Sequence, residues 1–394
     1  MPPRPLDGVT VVSLEQAVAA PFATRQLADL GARVIKVERP GVGDFARVYD
    51  GVVHGQSSHF VWLNRSKESL TLDLKRPEAA GVVSRLLARA DVFVQNLAPG
   101  AAERLGLGAA GLRAAHPRLI VCGLSGYGSS GPYRDRKAYD LLVQAESGVI
   151  SITGTPEEQV KLAIPVADLA AGMYAYTGIL TALFARERRG EGASVEVSML
   201  EALGEWMGFP LTYTLYGGSP PPRSGARHAT IAPYGPFTGA GGEMVFLGIQ
   251  NEREWARFCA EVIERPALAS DPRFDTGKKR IANREALDRE IEAAFAGRSA
   301  AAIIERLEAA GIANARLNTV EQFGAHPQLA ARGRWREVES SAGPVRALIP
   351  PATIDGVEPR MDRIPALGEH TDAILADLGY EPATVAAWRA AGVV

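Results

Sequence analysis

The sequence predicts an α/β protein, a parallel sheet wrapped by helices, with a smaller mixed α+β domain beside it. Three observations carry this. The N-terminal third alternates short apolar runs with amphipathic stretches, and consecutive β-α-β units of that kind close with right-handed crossovers that leave their strands parallel. After Met199 the texture changes to a Pro-, Gly- and Ser-rich stretch and then to hairpin-like alternation around glycines. The 394 residues, 46% hydrophobic and 22% charged, supply two or three ordinary cores, which excludes a disordered or collagen-like chain.

Gly8–Ser13 (GVTVVS) reads as the first strand because β-branched residues fill it. Pro21–Leu30 reads as a helix and Arg33–Val37 as the second strand. The alternation repeats with Ser69–Asp73 extended, Pro77–Ala88 helical, Asp91–Val94 a strand, Ala101–Leu105 helical and Arg118–Cys122 a strand. Leu169–Ala185 carries no charge, yet it is short of the ~20 residues that span a bilayer. It also contains Gly172, Thr177, Gly178 and two tyrosines, so it reads as a buried core helix ended by Gly190. Pro210–Arg227 reads as a linker or exposed loop, Pro233–Gly248 as a hairpin, and Glu252–Ile263 as a helix. Arg280–Ala309 holds two more helices, and the tail returns to strand-like pieces with a last helix near Pro382. No internal repeat is visible.

Composition narrows the function classes. A net charge of −2 argues against a general binder of nucleic acid or anionic membrane. Two cysteines, Cys122 and Cys259, make no disulfide framework, and residues 1–7 lack the apolar core of a signal peptide, so a reducing, cytoplasmic setting is expected. The six histidines show no metal-ligand spacing, and no metal is expected. There is no G-x-S-x-G elbow and no P-loop. Gly106–Gly111 and Gly126–Gly131 match G-x-G-x-x-G literally. The first follows a helix and the second runs into Pro132, so neither places helix amides on a pyrophosphate.

Asp168 stands out as the only charge between Lys161 and Arg186. It either caps the long apolar helix or serves as a catalytic carboxylate at the helix start, where amides stabilise anions. Lys137, Tyr139 and Asp140 form either an exposed turn or an anion-binding loop. His54 and His59 bracket a polar segment that is either a solvated loop or a carboxylate-binding edge.

The motifs Ala20–Thr24, Asp29–Ala32, Val34–Arg39, Asn64–Lys67, Gln95–Gly100 with Arg104–Gly106, Gly126–Gly128 with Gly131–Pro132, Asp168 and Leu367–Thr371 occur in this order from Leu6 onward. In that order the chain resembles the family III CoA-transferases, the group that includes formyl-CoA transferase, carnitine CoA-transferase, succinate–hydroxymethylglutarate CoA-transferase and the α-methylacyl-CoA racemases. The resemblance implies a Rossmann-like large domain formed by both chain ends (1–205 and 326–394), a linker at 206–224 and a small domain at 225–325. It implies a homodimer whose chains interlock, with the active site where domains of both subunits meet. Asp168 matches the family nucleophile, and Arg39, Leu72, Asn96, Arg104, Lys137 and Tyr139 match positions that hold CoA.

The implied activity moves CoA from an acyl-CoA, by analogy succinyl-CoA, to a small acid of itaconate, mesaconate, citramalate or malate type. CoA esters are the substrates and no tightly bound cofactor is implied. Amides near Gly172 or in the small domain's loop are the expected oxyanion donors. The racemases carry a His where this chain has Tyr139 and a Glu near Gln250–Asn251, which argues against two-base racemisation. Formyl-CoA transferase has a glutamine near Val18, a tryptophan near Val48 and a glycine-rich lid near 224–230, all missing here, which argues against formate or oxalate. Arg47, His54, His59, Arg227 and His228 are surplus groups, each either solvated surface or a place for a second carboxylate to dock. The competing readings are a 2-methylacyl-CoA racemase and a CoA-ester-binding protein without turnover.

Overall fold

The computed structural model describes residues 3–394, which divide into two compact units. The large unit takes the chain through Ser147, then Leu162–Gly208 and Leu329–Val394; the small unit takes Gly148–Lys161 and Phe209–Gln328.

In the large unit six strands form one sheet: β1 (Thr10–Leu14), β2 (Arg33–Glu38), β3 (Lys67–Thr71), β4 (Val92–Gln95), β5 (Ile120–Ser125) and β6 (Ser194–Ser198). They pair in the order β3-β2-β1-β4-β5-β6, every neighbour parallel. This is the parallel sheet that the alternation predicts, with the Rossmann-like order that the resemblance implies. Val11, Val12 and Leu14 of β1 and Val92, Phe93 and Val94 of β4 are buried on both faces, as parallel strands under helices must be. The chain runs outward from β1 to β3, returns to the middle for β4, and continues to β6. That reversal leaves a crevice outside the carboxyl ends of β1 and β4, the place where such sheets bind ligands.

On one face Val12, Ile35, Leu70, Phe93 and Val121 share a core with Pro77–Leu87, Thr371–Asp377 and Pro382–Ala390. Elsewhere α1 (Ala19–Asp29) packs on the long helix Val166–Arg189, and both helices bury small residues, Ala20 and Ala23 on α1 and Ala167, Ala171, Gly172 and Ala175 on the long helix. Gly172 is indispensable to this packing, because a Cβ there would lie 2.6 Å from the Ala19 carbonyl oxygen. The long helix ends, as read, at Gly190 in the left-handed region (φ 78°). Half of its most apolar stretch is buried inside the protein.

The small unit has an antiparallel sheet of β7 (Tyr234–Thr238), β8 (Met244–Gly248) and β9 (Ala313–Arg316), so the expected hairpin is present. Phe237, Leu247, Trp255, Phe258, Phe274, Phe295 and Leu307 fill its core. The stretch read as an exposed loop from Pro210 instead begins as a helix, Gly208–Gly217, with no buried residue. Pro210 is compatible because it lies in the first turn, where its missing N–H has no helical partner to lose. The Pro, Gly and Ser density that suggested a loop starts only at Gly217.

Substituting Gly172→Ala should force α1 off its seat. Overpacking of this kind costs ~1–3 kcal/mol, and the urea midpoint should fall accordingly while the far-ultraviolet spectrum stays that of a mixed α/β fold.

Candidate active site

A cleft of about 340 Å³ opens at the crevice between β1 and β4. Leu14 and Gln16 follow from β1, Val37 to Arg39 from β2, Leu72 to Lys75 from β3, and Leu97, Ala101, Arg104 and Leu105 from β4. Three of its cations, Arg39, Lys75 and Arg104, are exposed and have no side-chain partner among the described residues. Its buried acids are engaged: Glu15 by Lys67 (2.6 Å), Asp44 by Lys36 (2.7 Å) and Glu38 by Arg47 (2.7 Å). The rim therefore offers free positive charge over a floor whose negative charge is neutralised. Leucines between the cations supply apolar contact. Such a cleft suits a ligand that carries several phosphates on an otherwise flat, partly apolar body.

Asp168 lies in the first turn of the long helix. Capping falls to another residue: α2 (Asp140–Glu146) begins beside it, and Asp140 Oδ1 accepts the N–H groups of Ala167 (2.8 Å) and Asp168 (3.3 Å). Asp168 is thereby excluded as the cap. Its half-buried carboxyl receives no hydrogen bond from any described residue, and burial, helped by the charge of Asp140, pushes its pKa up to about 7. With the long helix labelled α3, the site has an undonated carboxylate at the head of α3 and a carboxylate cap just behind it.

The segment after β2 links this carboxylate to the cleft. Asp44 lines the cleft and accepts the N–H of Ala46, starting the short turn Phe45–Val48. Tyr49 follows, and Asp44, Asp168 and Tyr139 all add to the burial that raises its phenol to about 12. His59 stands edge-on to Tyr49, with ring centroids 5.4 Å apart, and its Nδ1 lies 3.7 Å from Asp50.

The residues expected to hold CoA separate into three places. Arg39, Leu72 and Arg104 share the cleft. Tyr139 is exposed near Tyr49 and Asp168, and Lys137 is exposed on the loop just before it, outside the residues lining the cleft. Asn96 sits behind the wall: its amide donates to the Gln16 carbonyl and accepts the Gln16 N–H, both at 2.9 Å, locking the turn after β1. Gly126 also has a packing role, since a Cβ there would lie 2.2 Å from that of Ala138; the loop returns through this contact to reach Tyr139.

Some expected groups are already committed. Arg47 pairs with Glu38 and stacks on Phe60 at 3.7 Å, while Arg227 pairs with Asp288. Gly172 lies inside α3, so its N–H belongs to the helix ladder and is no oxyanion donor. Lys75 and Tyr49 escaped the sequence reading. Lys75 had a signal, a cation three residues beyond Leu72; Tyr49 had none, because its neighbour Asp168 is far away in the chain.

The Asp168 carboxyl has a stability signature. Its folded-state pKa is raised, so its contribution is fully present below pH ~4 and is lost as the pH climbs through 7. Asp168→Asn removes the titration. Its stability relative to the parent should rise by ~4 kcal/mol between pH 4 and pH 8, read from urea midpoints at each pH.

Residues 6–371 match the family described as CoA-transferase family III. The chain is 32% identical to the succinyl-CoA:glutarate CoA-transferase of Homo sapiens, over 99% of this chain and 90% of the human one. It is 37% identical to the acetyl-CoA:oxalate CoA-transferase of Acetobacter aceti, over 84% of this chain and 85% of the other. The crystal structure of a CaiB/BaiF family protein from Brucella suis superposes with a TM-score of 0.84 at 32% identity, covering 96% of this chain and all of that one. Similarity that spans the chain, with the cleft cations and Asp168 inside the matched residues, makes this protein a member of CoA-transferase family III and an enzyme of that kind.

Proposed function

We propose that this enzyme transfers CoA from an acyl-CoA, succinyl-CoA in the first instance, to a free small carboxylic or dicarboxylic acid, with Asp168 as the covalent carrier. The observation that carries the proposal is the undonated Asp168 carboxyl at the head of α3, joined through the Asp44–Tyr49 segment to a cleft rimmed by unpaired cations. Asp168 attacks the thioester carbonyl, forming an acyl-aspartyl anhydride and releasing CoA thiolate. The thiolate then attacks the aspartyl carbonyl, giving an aspartyl-CoA thioester and the free donor acid. The acceptor carboxylate attacks that thioester to give a new mixed anhydride and thiolate, and thiolate attack on the acceptor's acyl carbon yields the new CoA ester and restores Asp168. Each step exchanges one acyl bond for another, so the thioester's free energy is kept if water stays out.

In this reading Arg39, Lys75 and Arg104 hold phosphates, and Leu72 with its leucine neighbours takes the apolar part of the nucleotide. Lys137 and Tyr139 border the path toward Asp168, and Asn96 acts through the turn it locks. Donor choice follows the human relative's name, and the oxalate-acting relative keeps oxalate on the acceptor panel with glutarate, itaconate, mesaconate, citramalate and malate. A proton-shuttling racemase needs a second base, and Tyr49, with its phenol near 12, is unsuited to that task at neutral pH. We further propose a homodimer in the cytoplasm, with CoA esters as substrates and no tightly held cofactor. Uncovered apolar side chains support the dimer: Phe209, Leu215 and Tyr216 on the helix Gly208–Gly217 are 56%, 68% and 88% exposed.

Incubation with succinyl-CoA alone should leave a hydroxylamine-sensitive adduct on the peptide that contains Asp168, detected by mass. Asp168→Ala should lose both adduct and transfer to every acid on the panel; an adduct that persists in this variant would remove Asp168 from the mechanism.

A second measurement concerns the cleft. Loss of one charge-assisted contact costs ~1.5–3 kcal/mol, so Arg104→Ala should weaken acyl-CoA binding ten-fold or more and leave the acceptor's KM within about two-fold. A collapse of acceptor affinity with CoA binding intact would reassign the arginine.

A further inference from the structure

The start of α3 is held in an unusual way. Asp140 reaches across from α2, and one of its oxygens takes the amides of both Ala167 and Asp168. Its other oxygen accepts from Gln144 Nε2 at 2.6 Å. Gln144 is fully buried, and its own carbonyl oxygen accepts the Leu162 N–H at 3.0 Å, so it ties the turn that precedes α3 to the same carboxylate. The first residues of α3 are therefore fixed from outside the helix, by a charged group.

This reverses what a helix start does for a carboxylate. Free amides and the positive end of the helix dipole normally stabilise an anion in the first turn. Here the amide of Asp168 and that of its neighbour are already occupied, and the occupant is itself an anion. The other ionisable groups on elements packed against α3 are Arg25 and Asp29 on α1, Glu146 on α2, Cys122 on β5, whose thiol burial pushes up, Glu196 on β6 and Glu201 and Glu205 on Met199–Trp206. Arg25 and Asp29 pair with each other at 2.6 Å, Glu196 holds Ser129 and Glu201 holds Ser198. Tyr49 and Tyr139 complete the surroundings, and the charge of Asp140 adds to burial in raising the Asp168 carboxyl.

We propose that Asp140 is the positioning residue of this active site: by capping α3 with its own charge it fixes where Asp168 stands and denies that carboxylate the stabilisation a helix start would give. The inference rests on the reading of Asp168 as nucleophile. An anion stabilised less by its surroundings attacks more readily. The repulsion between the two carboxylates also vanishes once Asp168 becomes an uncharged anhydride or thioester, so the cap favours the covalent intermediates over the resting enzyme.

The test is Asp140→Asn, whose amide oxygen still accepts both N–H groups. Carboxyl carbons of labelled aspartates are titrated by NMR, with Asp168→Asn identifying the resonance. The Asp168 midpoint should fall by a unit or more, a ten-fold rise in its acid dissociation constant. Transfer at the alkaline plateau should drop about ten-fold while the acyl-CoA KM stays within two-fold, and Asp140→Ala, which loses the cap as well, should be worse in both. An unmoved Asp168 midpoint overturns the proposal, as does an Asp140→Asn enzyme indistinguishable from Asp140→Ala in both kcat and KM. Asp140→Ser, also neutral, gives the same midpoint reading if the Asn variant does not fold. Because the midpoint reports the coupling of the two carboxylates whether or not Asp168 forms an adduct, this result separates a failure here from a failure of the nucleophile assignment.

Discussion

Everything that faces the cleft stands on a set of charges with no access to water. Glu15, Lys36, Asp44 and Lys67 have fully buried side chains. Lys36 lies between Asp44 and Glu15, and Lys67 is held by Glu15, the Pro21 carbonyl (3.0 Å) and Asn64 (3.1 Å). These contacts join the end of β1, the interior of β2 and the start of β3 to the turn that begins at Asp44, which also accepts the Ala17 N–H at 3.1 Å. Ion pairs so deep add little net stability, but removing one partner strands a charge and costs ~3–5 kcal/mol. The network is thus better understood as a device for geometry. It fixes the three strands relative to one another, and the walls of the cleft follow from that arrangement. Crowding shows in Lys67, whose ammonium is brought down to about 8 by burial despite its partners.

The same chemistry explains why the protein carries two populations of cations with opposite duties. Lys36, Lys67, Arg47, Arg65 and Arg25 are sealed against carboxylates, and Arg65 grips Asp29 through two bonds of 2.8 Å. Arg39, Lys75 and Arg104 remain open toward solvent in a single place. An incoming polyanion that reaches the cleft therefore meets cations that no carboxylate has claimed.

How much of this is legible in the sequence depends on the distance over which each feature is encoded. β1, β2, β4 and β5 announce themselves because valine and isoleucine runs are local signals, whereas β6 (SVEVS) has two apolar residues and gives no run to read. Asp168 is conspicuous as a lone charge in an apolar stretch. Its cap is invisible, because Asp140 lies 28 residues away and no periodicity ties them. The motifs that carried the family resemblance are mostly structural in this fold: Asn64, Arg65 and Lys67 feed the buried ion pairs. The Leu367–Thr371 motif fastens onto β3, where Ser69 Oγ accepts the Gly368 N–H and Thr371 Oγ1 accepts that of Thr71. Their partners are scattered over as many as 300 residues, so their chemistry becomes readable only once the sheet brings the ends together.

The sheet's core is also assembled from distant pieces of chain, and this bears on how the molecule is born. Ile374, Leu375, Leu378 and Val385 complete the face that Val12, Ile35 and Phe93 begin. Between them in the sequence lies the small unit, whose apolar core draws only on residues 232–312. A ribosome releasing ~5–20 residues per second therefore exposes β1 to β5 for many seconds before their last covering helices exist, while the small unit's core is available in one continuous stretch. The nascent large unit must hold a half-covered parallel sheet through that interval, and it is there that chaperones would find apolar surface to bind.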